Sequence, residues 1–152
     1  MQIDLTLPSL RALGIELGYY PTNDWKQAAV VDMISETANE VFNVWAGAMI
    51  SEDKSNEEKA KIFSDSLNET GVAGKLIKMI ETQLNKSGGK FITGNKVTIA
   101  DCYMVSMVYN YARNPAGPMK DLMTPILSQK YPRFCAYADE LGKEFAKNLN
   151  SR

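Results

Sequence analysis

Residues 91–101 read Phe-Ile-Thr-Gly-Asn-Lys-Val-Thr-Ile-Ala-Asp, a tight turn that runs into a helix start. Thr98 has the side chain of a good N-cap, and Asp101, three residues on, can reach back to the Thr98 backbone N–H. Val97 lies just outside the cap and is placed to pack on Cys102 as a hydrophobic staple. The helix so opened is expected to run to about Arg113, where Asn114-Pro115 and Gly117-Pro118 break it. Ile99, Cys102, Tyr103, Val105, Ser106, Tyr109 and Ala112 are its candidates for burial.

Working outward, Gly and Pro gather at boundaries and leave long uninterrupted stretches between them. No segment keeps the two-residue alternation of a half-buried strand, so the chain reads as nearly all helix. Pro8 suits the first turn of a short helix, Gly18 is placed to stop it, and Gly18-Tyr19-Tyr20-Pro21 makes a turn. From Asp24 to about Ile50, Trp25, Ala28, Ala29, Met33, Ile34, Val41, Phe42, Trp45, Ala48 and Met49 mark one face of a long amphipathic helix. Ser55 and Glu58 form an S-x-x-E capping box that starts a return arm, with a kink or short break expected near Gly71 and Gly74. That arm resumes at Lys75 and ends before Gly88-Gly89, giving an αα-hairpin. A short helix is expected near Met119–Ser128 despite Pro125. Pro132 then opens a last one with Phe134, Cys135, Ala138, Leu141 and Phe145 on one face, and residues 148–152 are expected to fray.

Composition bounds the chemistry. The chain has 152 residues, 45% of them hydrophobic, with 17 Lys plus Arg against 18 Asp plus Glu and a formal net charge of −1. That is one ordinary domain; nothing in the balance supports a nucleic-acid footprint or a polybasic membrane contact, and no run has the length a membrane span needs. The chain contains 0 histidines, which removes Ser-His-Asp and Cys-His nucleophile pairs, imidazole zinc sites and the usual base near neutral pH. Cys102 and Cys135 cannot supply a four-thiolate metal site and are expected to be buried, reduced thiols. No metal or resident cofactor is expected. The N-terminus shows no basic-then-apolar leader, so a cytoplasmic location is the default, with an organelle interior as the alternative.

Gly-Tyr-Tyr-Pro, then a long helix carrying Val31-Asp32-Met33-Ile34, then the 91–101 stretch with Gly94 ahead of Thr98-Ile-Ala-Asp101, resembles the C-terminal helical domain of cytosolic glutathione S-transferases. The sigma, mu and pi group is the nearest in flavour. The resemblance covers roughly Leu5 to Phe145 and implies an all-α bundle of about five to seven helices. It also implies a thioredoxin-like domain ahead of it that carries the catalytic hydroxyl or thiol; this sequence is expected to lack that domain. Residues 1–18 then stand as a remnant of its last helix and the linker, and residues 19–152 as the helical domain. Leu5-Thr6 occupies the place of the family's Gln-Ser pair, with the hydroxyl kept and the Gln replaced.

Each candidate site residue has a plainer explanation beside the functional one. Thr98 and Asp101 are explained by capping and need no chemistry. The resemblance implies that an acid two turns after Val-Asp, here Glu40, reaches a partner subunit's glutathione; Glu36 and Asn39 lie on the same side, and a solvated helix face explains all three. Tyr103, Met107, Tyr109 and Tyr111 are candidates for an apolar pocket or ordinary core. Tyr19, Tyr20 and Trp25 cluster at the domain junction, where a missing domain would leave an apolar patch that a protein partner or a second copy must cover. The leading expectation is therefore a non-catalytic interaction or assembly subunit. Its rivals are one half of an active transferase, with glutathione as co-substrate and catalytic hydroxyl supplied from outside this chain, and a carrier of apolar molecules.

Overall fold

The computed structural model describes residues 6–117 and 119–150. Residues 1–5, 118 and 151–152 lie outside the described residues, and with them Leu5 of the Leu5-Thr6 pair and Pro118 of the Gly-Pro break. The regular structure of the described residues is helical: α1 (Thr6–Leu17), α2 (Trp25–Ile50), α3 (Asn56–Ser66), α4 (Val72–Ser87), α5 (Ile99–Met107), α6 (Lys120–Lys130), α7 (Pro132–Glu144) and α8 (Ala146–Leu149). A π turn over Val108–Ala112 continues α5. The closest approach to a strand is one isolated bridge between Phe91 and Gly94.

The caps are local and readable. Asp24 accepts from the Lys26 and Gln27 backbone N–H groups at 3.0 and 3.1 Å and so opens α2. Ser55 and Glu58 exchange the two bonds of a capping box at α3. Gly18, at φ +79, closes α1 in a left-handed turn, with Tyr19 N–H donating to the Gly14 carbonyl at 2.7 Å.

α2 is the spine, packed on α3, α4 and α5, while α7 crosses to α4 and α5 and α6 bridges α3, the π turn and α7. Its buried face is Val31, Ile34, Ala38, Val41, Trp45 and Ala48. This corrects the single apolar face read from the sequence, because Trp25, Met33 and Phe42 are exposed. Met33 and Ile34 are adjacent in sequence and so point about 100° apart on a helix; Trp25, Met33 and Phe42 stand outside the buried face, at separate points round α2.

The return arm is two helices. α3 stops at Ser66, and the break falls at 67–71, where the Tyr131 hydroxyl donates to the Leu67 carbonyl at 2.9 Å. Gly74 lies inside α4 and permits contact, since a Cβ there would strike the Asn68 carbonyl oxygen. α6 passes through Pro125 and extends to Lys130. At the tail, α8 takes in Asn148 and Leu149 of the segment expected to fray, with Phe145 and Leu149 against the core, and residues 151–152 of that segment lie outside the described residues.

Candidate functional site

The Gly-Tyr-Tyr-Pro turn ties α1 to the bundle through three different chemistries. The Tyr19 carbonyl accepts the Ile99 N–H at 3.0 Å, satisfying one of the donors that a helix start leaves unpaired. The Tyr20 hydroxyl donates to one Asp32 oxygen at 2.9 Å while Arg11 Nε donates to the other at 3.0 Å. Gly14 sits so close to Ile99 that a Cβ would strike the Ile99 side chain. The inner face of α1 is thus committed. Its outer face is not, with Leu13 59% and Leu17 65% exposed, and beyond the turn Tyr19 and Trp25 stand at 45% and 75%.

The other aromatic and Met candidates are not brought together in one open pocket. Met107 is core, 2% exposed. Tyr103 donates to the Asn39 side chain at 3.0 Å, joining α5 to α2. Tyr109 turns to α7, donating to the Ala138 carbonyl at 3.2 Å, with Arg113 over its ring. Tyr111 meets Trp45 edge-on at 5.3 Å and lies against Phe63. The void that Met107 lines with Trp45, Met104 and Met123 has a volume of about 20 Å³, room for about one water molecule and no organic ligand.

The remaining candidates separate in the same way. Glu40 and Glu36 are exposed on α2, whereas the Asn39 side chain is occupied by Tyr103. Asp101 is wholly buried and forms the capping box with Thr98. It accepts from the Thr98 N–H and hydroxyl at 2.8 Å each, from the Ile92 N–H at 3.2 Å and from the Tyr137 hydroxyl at 2.9 Å. Burial pushes its carboxyl above the ordinary range against the pull of those four donors. Tyr137 is the residue that the sequence reading passes over. It lies on α7 beside Phe134, and its phenol finds a partner 36 positions away, which no local pattern announces.

No group with a resolved shift is primed as a nucleophile. Burial raises the phenols of Tyr20, Tyr103, Tyr111, Tyr131 and Tyr137. Burial and the neighbouring Asp101 push the Cys102 thiol up to about 11, the opposite of what thiolate chemistry requires. Both cysteines are free, and they are half-buried rather than fully enclosed. Among the described residues no three His, Cys, Asp or Glu side chains gather as a metal ion would need, and no helix is long and apolar enough to cross a membrane.

Comparison with known proteins places this architecture. Residues 39–144 match the family model described as glutathione S-transferase, C-terminal domain. The chain is 32% identical over 102 residues to the class-mu 28 kDa glutathione S-transferase isozyme of Schistosoma mansoni, covering 65% of this chain and 44% of that protein. It is 30% identical over 133 residues to the Schistosoma bovis isozyme of the same name, covering 79% of this chain and 58% of that one. The chain therefore spans about half the length of the curated relatives it matches. The bundle, its Thr98–Asp101 cap and these similarities agree: the chain belongs to the family of glutathione S-transferase C-terminal domains.

Proposed function

We propose that this helical domain works as a non-catalytic interaction subunit, docked through the outer face of α1 and the start of α2 onto an apolar surface of a partner protein. The observation that carries this reading is the exposure of Leu13, Leu17, Tyr19 and Trp25 at the junction of α1 and α2, whose other sides are tied to the bundle. Large apolar side chains left on a surface in this way are stabilised by a partner that removes them from water, at about 25 cal/mol per Å². The raised pKa values of the buried phenols and thiol fit the same reading, because none of these groups is poised for attack. In the cytoplasm, where we place it, the two free thiols stay reduced.

A second reading keeps the domain as the helical half of a glutathione S-transferase, as its relatives' names suggest. On that reading the same face is covered by a glutathione-binding domain, and Glu40 reaches toward a neighbouring subunit's ligand. Light scattering on the purified chain, beside the complex recovered from its source, separates the two. The interaction reading expects the free chain to self-associate, and Leu13→Asp with Leu17→Asp to abolish both self-association and partner recovery while helicity is kept. It expects the recovered complex to pass through a glutathione column. Retention on that column with conjugating activity establishes the second reading instead, and a stable free monomer that recovers no partner overturns both.

A further inference from the structure

A second surface, which adjoins the α1 face at Tyr19, is organised by charge. The loop from Ser87 to Thr98 is ringed by four clefts of about 300, 480, 530 and 520 Å³. They adjoin one another: Thr93 lines two of them and Asn95 three. The cations on these walls are Lys26, Lys86, Lys90, Lys96, Arg133 and Lys143, against the carboxylates Asp24, Glu140 and Glu144. In a chain of formal net charge −1 this is a local positive pole.

The three carboxylates neutralise it only in part, since six cations face them. Asp24 is engaged with two backbone N–H groups at the start of α2. Glu140 is shared between Lys143 at 2.6 Å and Lys90 at 3.7 Å, so one acid serves two ammonium groups. Arg133 reaches a neutral acceptor, the Gly89 carbonyl, at 3.4 Å. The cleft between α2 and α4, walled by Lys26 and Lys86 with Gln27, Gln83, Ser87 and Thr93, has no carboxylate in its lining.

The loop that carries the charges is held in place. The Ile92 N–H is bound by buried Asp101, Phe91 and Gly94 exchange backbone bonds at 2.8 and 3.1 Å, and the Lys90 N–H donates to Asn95 at 3.4 Å. Cations on a pre-ordered loop cost a ligand less to engage than cations on a floppy one. Tyr19 stands between two of the clefts as an exposed aromatic post, the kind of side chain that anchors a bound chain.

From this we infer that the ring of clefts around residues 87–98 binds an extended acidic segment of another protein, its carboxylates on the lysines and an apolar side chain against Tyr19. Separate, adjoining clefts suit the alternate side chains of an extended peptide. Acids interspersed among the cations oppose a uniform polyanion such as RNA or an anionic lipid surface.

The test is fluorescence anisotropy on the full chain with a labelled peptide of alternating Glu and Asp around one central Leu. The control is the same peptide with Gln and Asn in place of the acids. We expect saturable binding of the acidic peptide alone, falling as salt is raised. The triple variant Lys86→Glu, Lys90→Glu, Lys96→Glu should weaken it at least ~10-fold, and Tyr19→Ala should weaken it with its salt dependence unchanged. Circular dichroism on each variant confirms that the fold is kept. Since Leu13→Asp leaves this surface intact, it should bind the peptide like the parent, which separates failure here from failure of the α1 docking face. Absence of binding at low salt, equal affinity in the triple variant, or tighter binding to polyuridylate or to phosphatidylserine vesicles overturns the inference.

Discussion

Asp101 shows how one carboxylate can fix the meeting point of three segments. It caps α5 through Thr98, pins the 91–94 turn through Ile92 and takes the Tyr137 phenol from α7. Asp101→Ala strands those donors in the interior at about 1–3 kcal/mol each, so urea unfolding followed by circular dichroism should show a loss of at least ~3 kcal/mol. Tyr137→Phe removes one donor and should cost ~1 kcal/mol in the same measurement. Cys102 supplies a pH prediction. Its folded-state pKa is raised from 9.0 to about 11, so the unfolded chain loses the thiol proton before the folded one does. The stability this thiol contributes is full below pH 9 and is lost as pH rises toward 11. Iodoacetamide should accordingly alkylate Cys102 slowly at pH 8 and rapidly once urea exposes it, and equal rates in the two states would contradict the burial described here.

At the scale of elements, two glycines in helices predict opposite outcomes. A Cβ at Gly74 strikes the backbone of Asn68, which cannot move without opening the α3–α4 break; Gly74→Ala should destabilise by ~1–3 kcal/mol. A Cβ at Gly47 on α2 meets nothing within 4 Å, and Gly47→Ala should stabilise by ~0.5–1 kcal/mol. Thermal unfolding of the pair checks both signs. Legibility in the sequence divides in the same way, between local and distant causes. Asp24, the Ser55–Glu58 box, Gly18, Pro132 and Thr98–Asp101 act within a few residues, so their pattern announces the helix ends. The exposure of Met33 on α2 is hidden because adjacent apolar residues such as Met33 and Ile34 satisfy any three-or-four-residue count. Tyr137 is hidden because an aromatic hydroxyl is at home in the interior only where a distant acceptor waits. The basic ring is hidden because its cations come from four separate parts of the chain: α2, the 86–96 stretch, and the two ends of α7.

For the whole molecule, the question is whether α1 travels with the bundle. Its ties are buried Leu7 and the packing of Leu10 on the core, the Gly14–Ile99 contact, the Tyr19 carbonyl on α5, and the Arg11–Asp32–Tyr20 cluster, whose ionic pair is one-third exposed and contributes about 0–1 kcal/mol. Hydrogen exchange should therefore show α1 protected as a helix yet opening more readily than α2 and α7. Asp32→Asn should raise exchange across residues 6–17 with little change elsewhere; uniform acceleration through the core would mean that α1 and the bundle open as one. The π turn at Val108–Ala112 bears on length rather than stability. A wide turn of this kind lets a helix hold one residue more than a regular one of the same rise, so the chain on either side keeps its place. Deleting a single residue inside it would restore an ordinary α-helical count and leave Arg113 on Asp139 and on the Cys135 carbonyl that it now holds. The same deletion in a regular turn would rotate the downstream chain by about 100° and pull that arginine away. Relatives that differ by one residue across this segment are thus expected to share the same α6–α8 arrangement, the difference in chain length being absorbed in a single turn.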